Sequence, residues 1–215
     1  MFLIVTIFNI ITILTGLFCL RKGGPVILYL ALLIIIAALV NENFIVLNSW
    51  KWWHINRNVF YNIFSLTEII IWFIIYAHIF HRRLRLYILA TGFIIILFSS
   101  WELYHYSFNK FHQWSQALYA ACAVLLAAGY LFYTHLREYH QLSHDPAFCL
   151  CAASICFNSV FLLNLFTMME PEYWKNEASR YIFTVLQSTG IILYYVLICI
   201  AFIIYSYRHK MARRN

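Results

Sequence analysis

The chain has few charged residues, few prolines and few glycines, and each shortage excludes a class of protein. Only 11% of its 215 residues are charged and 64% are hydrophobic, whereas about a quarter of a soluble domain is usually charged. The three prolines and six glycines leave the apolar runs almost uninterrupted. This argues against the broken helices from which many secondary transporters build a midplane site. The composition therefore predicts a membrane protein with continuous helices.

Motifs for catalysis and cofactor binding are also absent from the sequence. It contains no Gly-rich phosphate loop, no nucleophile elbow and no His-Glu-x-x-His motif. The last apolar segment has no lysine for a retinal Schiff base, because Lys175 and Lys210 lie outside it. The six cysteines lie within apolar segments or at their ends, where they are expected to pack as small apolar groups. We predict no cofactor, metal or catalytic residue, and the sequence favours a role other than catalysis.

Seven apolar stretches reach or approach the length of about 20 residues that a helix needs to cross the hydrocarbon core. They cover approximately residues 2–20, 25–40, 58–80, 86–105, 114–136, 147–168 and 181–206. The second stretch is short and is expected to borrow from residues 41–47, and the long gap 41–57 is expected to lie along the membrane surface. The sequence therefore predicts an all-α, polytopic seven-helix bundle that forms one domain over residues 1–215.

The basic residues predict how this bundle is oriented. Ten lysines and arginines follow the first, third, fifth and seventh stretches, and five lie in the opposite gaps. By the positive-inside rule the N-terminus is outside and the C-terminus inside. The net charge of +7 is then explained by topology and by contact with anionic lipid headgroups in the bilayer. No recognition module for nucleic acid is present, and the sequence is compatible with an oligomer.

Ionisable residues at membrane depth are the best pointers to function, because burying them is costly. In the third stretch Asn58, Asn62, Ser65 and Glu68 follow one another at intervals of four, three and three residues. This spacing places them on one helical face, which must be turned toward other helices or water, since lipid cannot satisfy polar groups. We expect Glu68 to be neutral, because no cation lies at its depth. It either bonds across a helix interface or contacts a ligand, an ion or a proton.

Other polar residues could complete an outward-opening pocket around this stripe. In the fourth stretch Glu102 and His105 form an acid–imidazole pair that could titrate near neutral pH or could simply lie at the interface. Polar residues of the sixth and seventh stretches could converge on the same region. The predicted ligand-binding residues are Asn62, Ser65, Glu68, Glu102, His105, Asn158 and Gln187.

The sequence leaves several functions open besides that of a receptor. One is a transporter of a small solute, or a proton-coupled transporter, with Glu68 as the titrating group. Another is a zinc-dependent lipid hydrolase, in which His140 and His144 share one helical face and supply two metal ligands. A third is a structural or assembly subunit of a larger complex.

Two short segments carry a resemblance to a known group of proteins. They are Tyr61–Leu66 followed by Glu68, and the Asp145–Phe148 entry to the sixth stretch. Together with the outward N-terminus, they resemble a family of small, functionally uncharacterised bacterial seven-helix membrane proteins. That family is similar in layout to the seven-helix sensory regions of membrane histidine kinases. The resemblance implies a sensory role, with a small or lipophilic ligand or a proton as the input and a separate cytoplasmic signalling protein as partner.

Overall fold

The computed structural model of the protein is all-helical in the part of the chain that it describes. This part comprises residues 2–49, 56–107, 110, 113–137, 145–168 and 177–212. Its helices are α1 (Phe2–Leu20), α2 (Val26–Ser49), α3 (Arg57–Ile79), α4 (Arg82–Tyr106), α5 (Gln113–Arg137), α6 (Pro146–Met168) and α7 (Glu177–Ala212). All seven are long and apolar enough to cross a membrane, as the sequence predicted, and they fit a multi-pass membrane protein.

Two helices extend furthest beyond the predicted boundaries, and α4 also begins at Arg82 rather than near residue 86. α2 continues through Ser49, which confirms that it borrows from residues 41–47, whereas the prediction that the gap from residue 41 lies along the surface does not hold for residues 41–49. The rest of that connection, residues 50–55, lies outside the described residues. α7 has 36 residues, and it includes polar turns before and after the predicted span 181–206. In both cases the helix outlasts the apolar run, because polar residues other than glycine and proline allow a helix to continue.

The helices divide into two compact units, Met1–Leu28 with Ala120–Asn215, and Tyr29–Tyr119. In the first unit α1 and α7 run parallel. Asn9 donates to Tyr195, and the carbonyl of Gly23, just beyond the end of α1, accepts from Tyr205 further along α7. α6 runs antiparallel to α7, and a Cβ placed on Gly190 would lie 2.8 Å from a methyl carbon of Val160. Glycine therefore permits the close approach of these two helices.

Asn9 and Thr12 of α1 hold the interior of the first unit to α7. The Asn9 amide donates to the Tyr195 hydroxyl at 3.0 Å. The single proton of the Thr12 hydroxyl is shared between the Phe8 carbonyl of its own helix at 2.8 Å and the Tyr195 carbonyl at 3.3 Å. Both side chains are almost completely buried. Interhelical bonds of this kind satisfy polar groups that lipid would leave unpaired.

In the second unit α3 and α4 form an antiparallel hairpin with a very short connection. Phe80 ends α3 with a backbone bond to the Tyr76 carbonyl, and His81 caps α4 by accepting from the Arg83 amide. A Cβ placed on Gly92 would lie 2.6 Å from the Phe73 ring. The absence of a side chain at Gly92 thus lets this aromatic ring lie directly against the backbone of α4.

Candidate functional site

The predicted polar stripe of α3 is buried along one face of the helix. Asn62, Ser65 and Glu68 are 0%, 5% and 6% exposed, and Trp72 follows on the same face with no exposed surface. The spacing of these residues, at intervals of three or four, explains why they share this face. Asn62, Ser65 and Glu68 are thus turned toward other helices, as the sequence indicated, whereas Asn58 at the start of the stripe is half-buried.

Glu68 lies near the middle of α3, and its partner comes from α5. Its carboxyl group faces the hydroxyl group of Tyr119, and the Tyr119 ring lies with its centroid 6.4 Å from that of Phe73. Tyr119 itself is only 1% exposed. A carboxyl group and a phenol can exchange the roles of donor and acceptor when the carboxyl gains or loses a proton. We call Ser65, Glu68 and Tyr119 the Glu68 cluster.

Glu102 has a different environment, in the last turns of α4 and close to the start of α5. Its two carboxylate oxygens accept from the backbone amides of Trp114 and Ser115, at 3.2 and 2.9 Å. These amides belong to the first turn of α5, where backbone donors have no partner within the helix. Glu102 therefore caps a neighbouring helix, and the positive end of the helix dipole favours a carboxylate there.

Asn62 hydrogen-bonds to the segment that connects α4 and α5. Its amide nitrogen donates to the backbone carbonyl of Lys110 at 3.0 Å, so that α3 is joined to the chain between α4 and α5. The connection itself begins with Ser107, which has a φ of 75°, a left-handed conformation that serine rarely adopts. Asn62 and Glu102 thus both have structural partners around the entry to α5.

His105 faces away from this interior. It is exposed, and its ring stacks on that of Trp101 with centroids 5.4 Å apart. The carboxylate of Glu102, three residues earlier, is directed to the α5 amides. The two side chains thus have separate surroundings, which favours the interfacial interpretation of His105.

Asn158 and Gln187 belong to the first unit. Asn158 is fully buried, and its amide nitrogen bonds the carbonyl and hydroxyl oxygens of Ser154 on its own helix. Gln187 is partly exposed on α7. Their role as ligand-binding residues stays a prediction.

Sequence reasoning missed the contribution of α5 and one further acid. Ser115, Gln116 and Tyr119 are at most 1% exposed, and their spacing places them on one face of the first turns of α5. The spacing of these polar residues can be read from the sequence, but the alanine-rich pattern that follows drew the interpretation of α5 toward helix packing alone. Glu42 was not predicted to be a site residue, and it lies in α2 with one carboxylate oxygen enclosed and without a hydrogen-bond partner among the described residues.

The described residues contain no group of three His, Cys, Asp or Glu side chains that could hold a metal ion. His140 and His144, the predicted zinc ligands, lie outside the described residues. Two open grooves lie in the first unit, and neither is lined by a predicted ligand-binding residue.

Comparison with family models, curated proteins and solved structures finds no match to this chain. The Glu68 cluster must therefore be interpreted from its own chemistry.

Proposed function

We propose that the chain is a sensory protein of a bacterial inner membrane that responds to a proton at Glu68. The observation that carries this proposal is the carboxyl group of Glu68, enclosed near the middle of α3 and facing a single phenol. A group so enclosed is reached more easily by a proton than by a solute. Ser65 and Asn62 lie one and two turns nearer the start of α3. They provide polar groups between Glu68 and that end of the helix.

The response would arise in the contact between α3 and α5. When Glu68 gains a proton, its carboxyl group can donate to Tyr119, whereas the ionised form can only accept. The two protonation states thus favour different arrangements of Tyr119, and a ligand shifts an equilibrium only through such a difference between states. In the orientation with the N-terminus outside, a cytoplasmic protein would read the resulting helix shift at the basic inner face.

The test compares the thermal stability of wild type and Glu68→Gln in nanodiscs from about pH 5 to about pH 8. We expect a pH-dependent component in wild type that Glu68→Gln abolishes and Tyr119→Phe alters. Glu177→Gln is the matched control, because Glu177 is an exposed acid in the first turn of α7. Identical pH profiles for wild type and Glu68→Gln would refute the proposal.

Proteoliposomes separate the sensor from a proton-coupled transporter. A sensor leaves the internal pH unchanged when a pH gradient is imposed, as empty liposomes do. A proton flux that disappears in Glu68→Gln would instead establish the transporter, with the same residue as its titrating group.

A further inference from the structure

The first unit carries an open groove between α1 and α7, with a volume of about 480 Å³. α1 contributes Leu14 and Phe18 among others, and α7 contributes Ile203. These three side chains are large, apolar and about half exposed. On α7 the groove extends for about 10 Å, from Ile203 to Lys210 at 1.5 Å per residue. Most of the surface that lines the groove is apolar, which suits a hydrocarbon chain.

One end of this groove is polar and positively charged. Lys210 and Ser206 line it from α7, and Cys19 lines it from α1. Beyond the end of α1, the guanidinium of Arg21 lies 4.6 Å from the centroid of the Phe18 ring. This contact holds a second cation beside the groove. Because α1 and α7 run parallel, both cations lie at the same end of the unit.

We propose that this groove binds an anionic phospholipid of the surrounding bilayer. One acyl chain lies between Leu14, Phe18 and Ile203, and the phosphate group of the lipid lies between Lys210 and Arg21. The groove and an anionic lipid have matching parts in the same order. The apolar part of the groove faces the acyl chain, and the two basic groups at the end of the helices face the phosphate. A zwitterionic lipid would fill the apolar part equally well but would gain less from the two cations. The proposal does not depend on the Glu68 cluster.

The test measures binding of phosphatidylglycerol and phosphatidylcholine, with identical acyl chains, to the delipidated full chain by native mass spectrometry. We expect phosphatidylglycerol to bind more tightly, and Lys210→Gln to weaken its binding about fivefold, which corresponds to about 1 kcal/mol for one basic residue near the surface. Lys22→Gln is the matched control, because Lys22 is exposed just beyond α1 but does not line the groove. Thr15→Trp fills the groove and should weaken the binding of both lipids.

Three outcomes would overturn the proposal. Equal binding of the two lipids would remove the role of the cations. An effect of Lys22→Gln as large as that of Lys210→Gln would show a diffuse attraction to the basic end. Unchanged binding in Thr15→Trp, with the helical circular dichroism spectrum retained, would show that lipid does not occupy the groove.

Discussion

Removing the carboxylate of Glu102 should destabilise the entry to α5. The bond to the Ser115 amide is 2.9 Å long and fully buried, and the bond to the Trp114 amide is longer at 3.2 Å. A hydrogen bond to a charged group contributes about 1.5–3 kcal/mol, and loss of a helix cap typically costs about 1 kcal/mol. Since Trp114 is largely exposed, most of the loss falls on the buried amide. These are the same bonds counted in two ways, so we expect Glu102→Ala to lower the free energy of unfolding by about 1.5–3 kcal/mol.

Glu102→Gln should have about half of this effect, because the amide oxygen can still accept one bond while its NH₂ group faces the other donor. The matched control is Ser100→Ala on the same helix. Ser100 is exposed and bonds only the carbonyl of Ile96 within α4, so its replacement should change stability by less than about 0.5 kcal/mol.

Equilibrium unfolding in mixed micelles measures the change in stability, and hydrogen exchange at the start of α5 locates it. The amides of Trp114 and Ser115 should exchange faster in Glu102→Ala and remain protected in Ser100→Ala. If Glu102→Ala unfolds like the control, with both amides still protected, then the carboxylate does not cap α5 and the structural assignment is wrong.

Three further predictions concern packing, an interhelical hydrogen bond and helix capping. Gly92→Ala should lower the free energy of unfolding by about 1–3 kcal/mol, because a Cβ would meet the aromatic ring beside it. Gly129→Ala should stabilise α5 by up to about 1 kcal/mol, because no atom lies within 4 Å of the new carbon. Thermal unfolding of both variants measures these changes, and equal losses of stability would contradict the prediction. A double-mutant cycle of Asn9→Ala and Tyr195→Phe should give a coupling energy of about 0.6–1.7 kcal/mol, and strictly additive effects would refute the bond between α1 and α7. Asp145→Ala should cost about 1–2 kcal/mol because this carboxylate accepts from an amide in the first turn of α6 and from a tyrosine hydroxyl of α5; unchanged unfolding and unchanged exchange at the start of α6 would contradict that role.

The helices could be predicted because their main signal is the length of each apolar run. At the end of α2 the apolar run stops before Asn41, Glu42 and Asn43, and only the required length of about 20 residues indicated that the helix continues through them. Hydropathy measures affinity for lipid, whereas helix continuation depends on backbone bonding and on the absence of proline and glycine. The two properties separate wherever a polar turn follows a span.

The candidate site was predictable where its residues share one helix. The intervals from Asn62 to Glu68 fixed a common face, and the structure buries that face. The role of Glu102 could not be predicted, because its partners are backbone amides of the next helix, which leave no pattern in the side chains. The Tyr119 contact of Glu68 likewise depends on how α3 and α5 meet, which periodicity within one helix does not determine.

The bond between Asn9 and Tyr195 joins side chains that are 186 residues apart, and this separation affects how the membrane domain is assembled. During synthesis α1 emerges long before α7, so Asn9 must wait for the Tyr195 hydroxyl until nearly all the remaining helices have been made, whereas the Thr12 hydroxyl already has the Phe8 carbonyl of its own helix. In the meantime the Asn9 amide needs water or a temporary helix as a partner, because lipid offers neither donor nor acceptor. A nascent chain that stalls before α7 would therefore expose a polar face on α1, which quality-control proteases or insertion chaperones could recognise as unfinished.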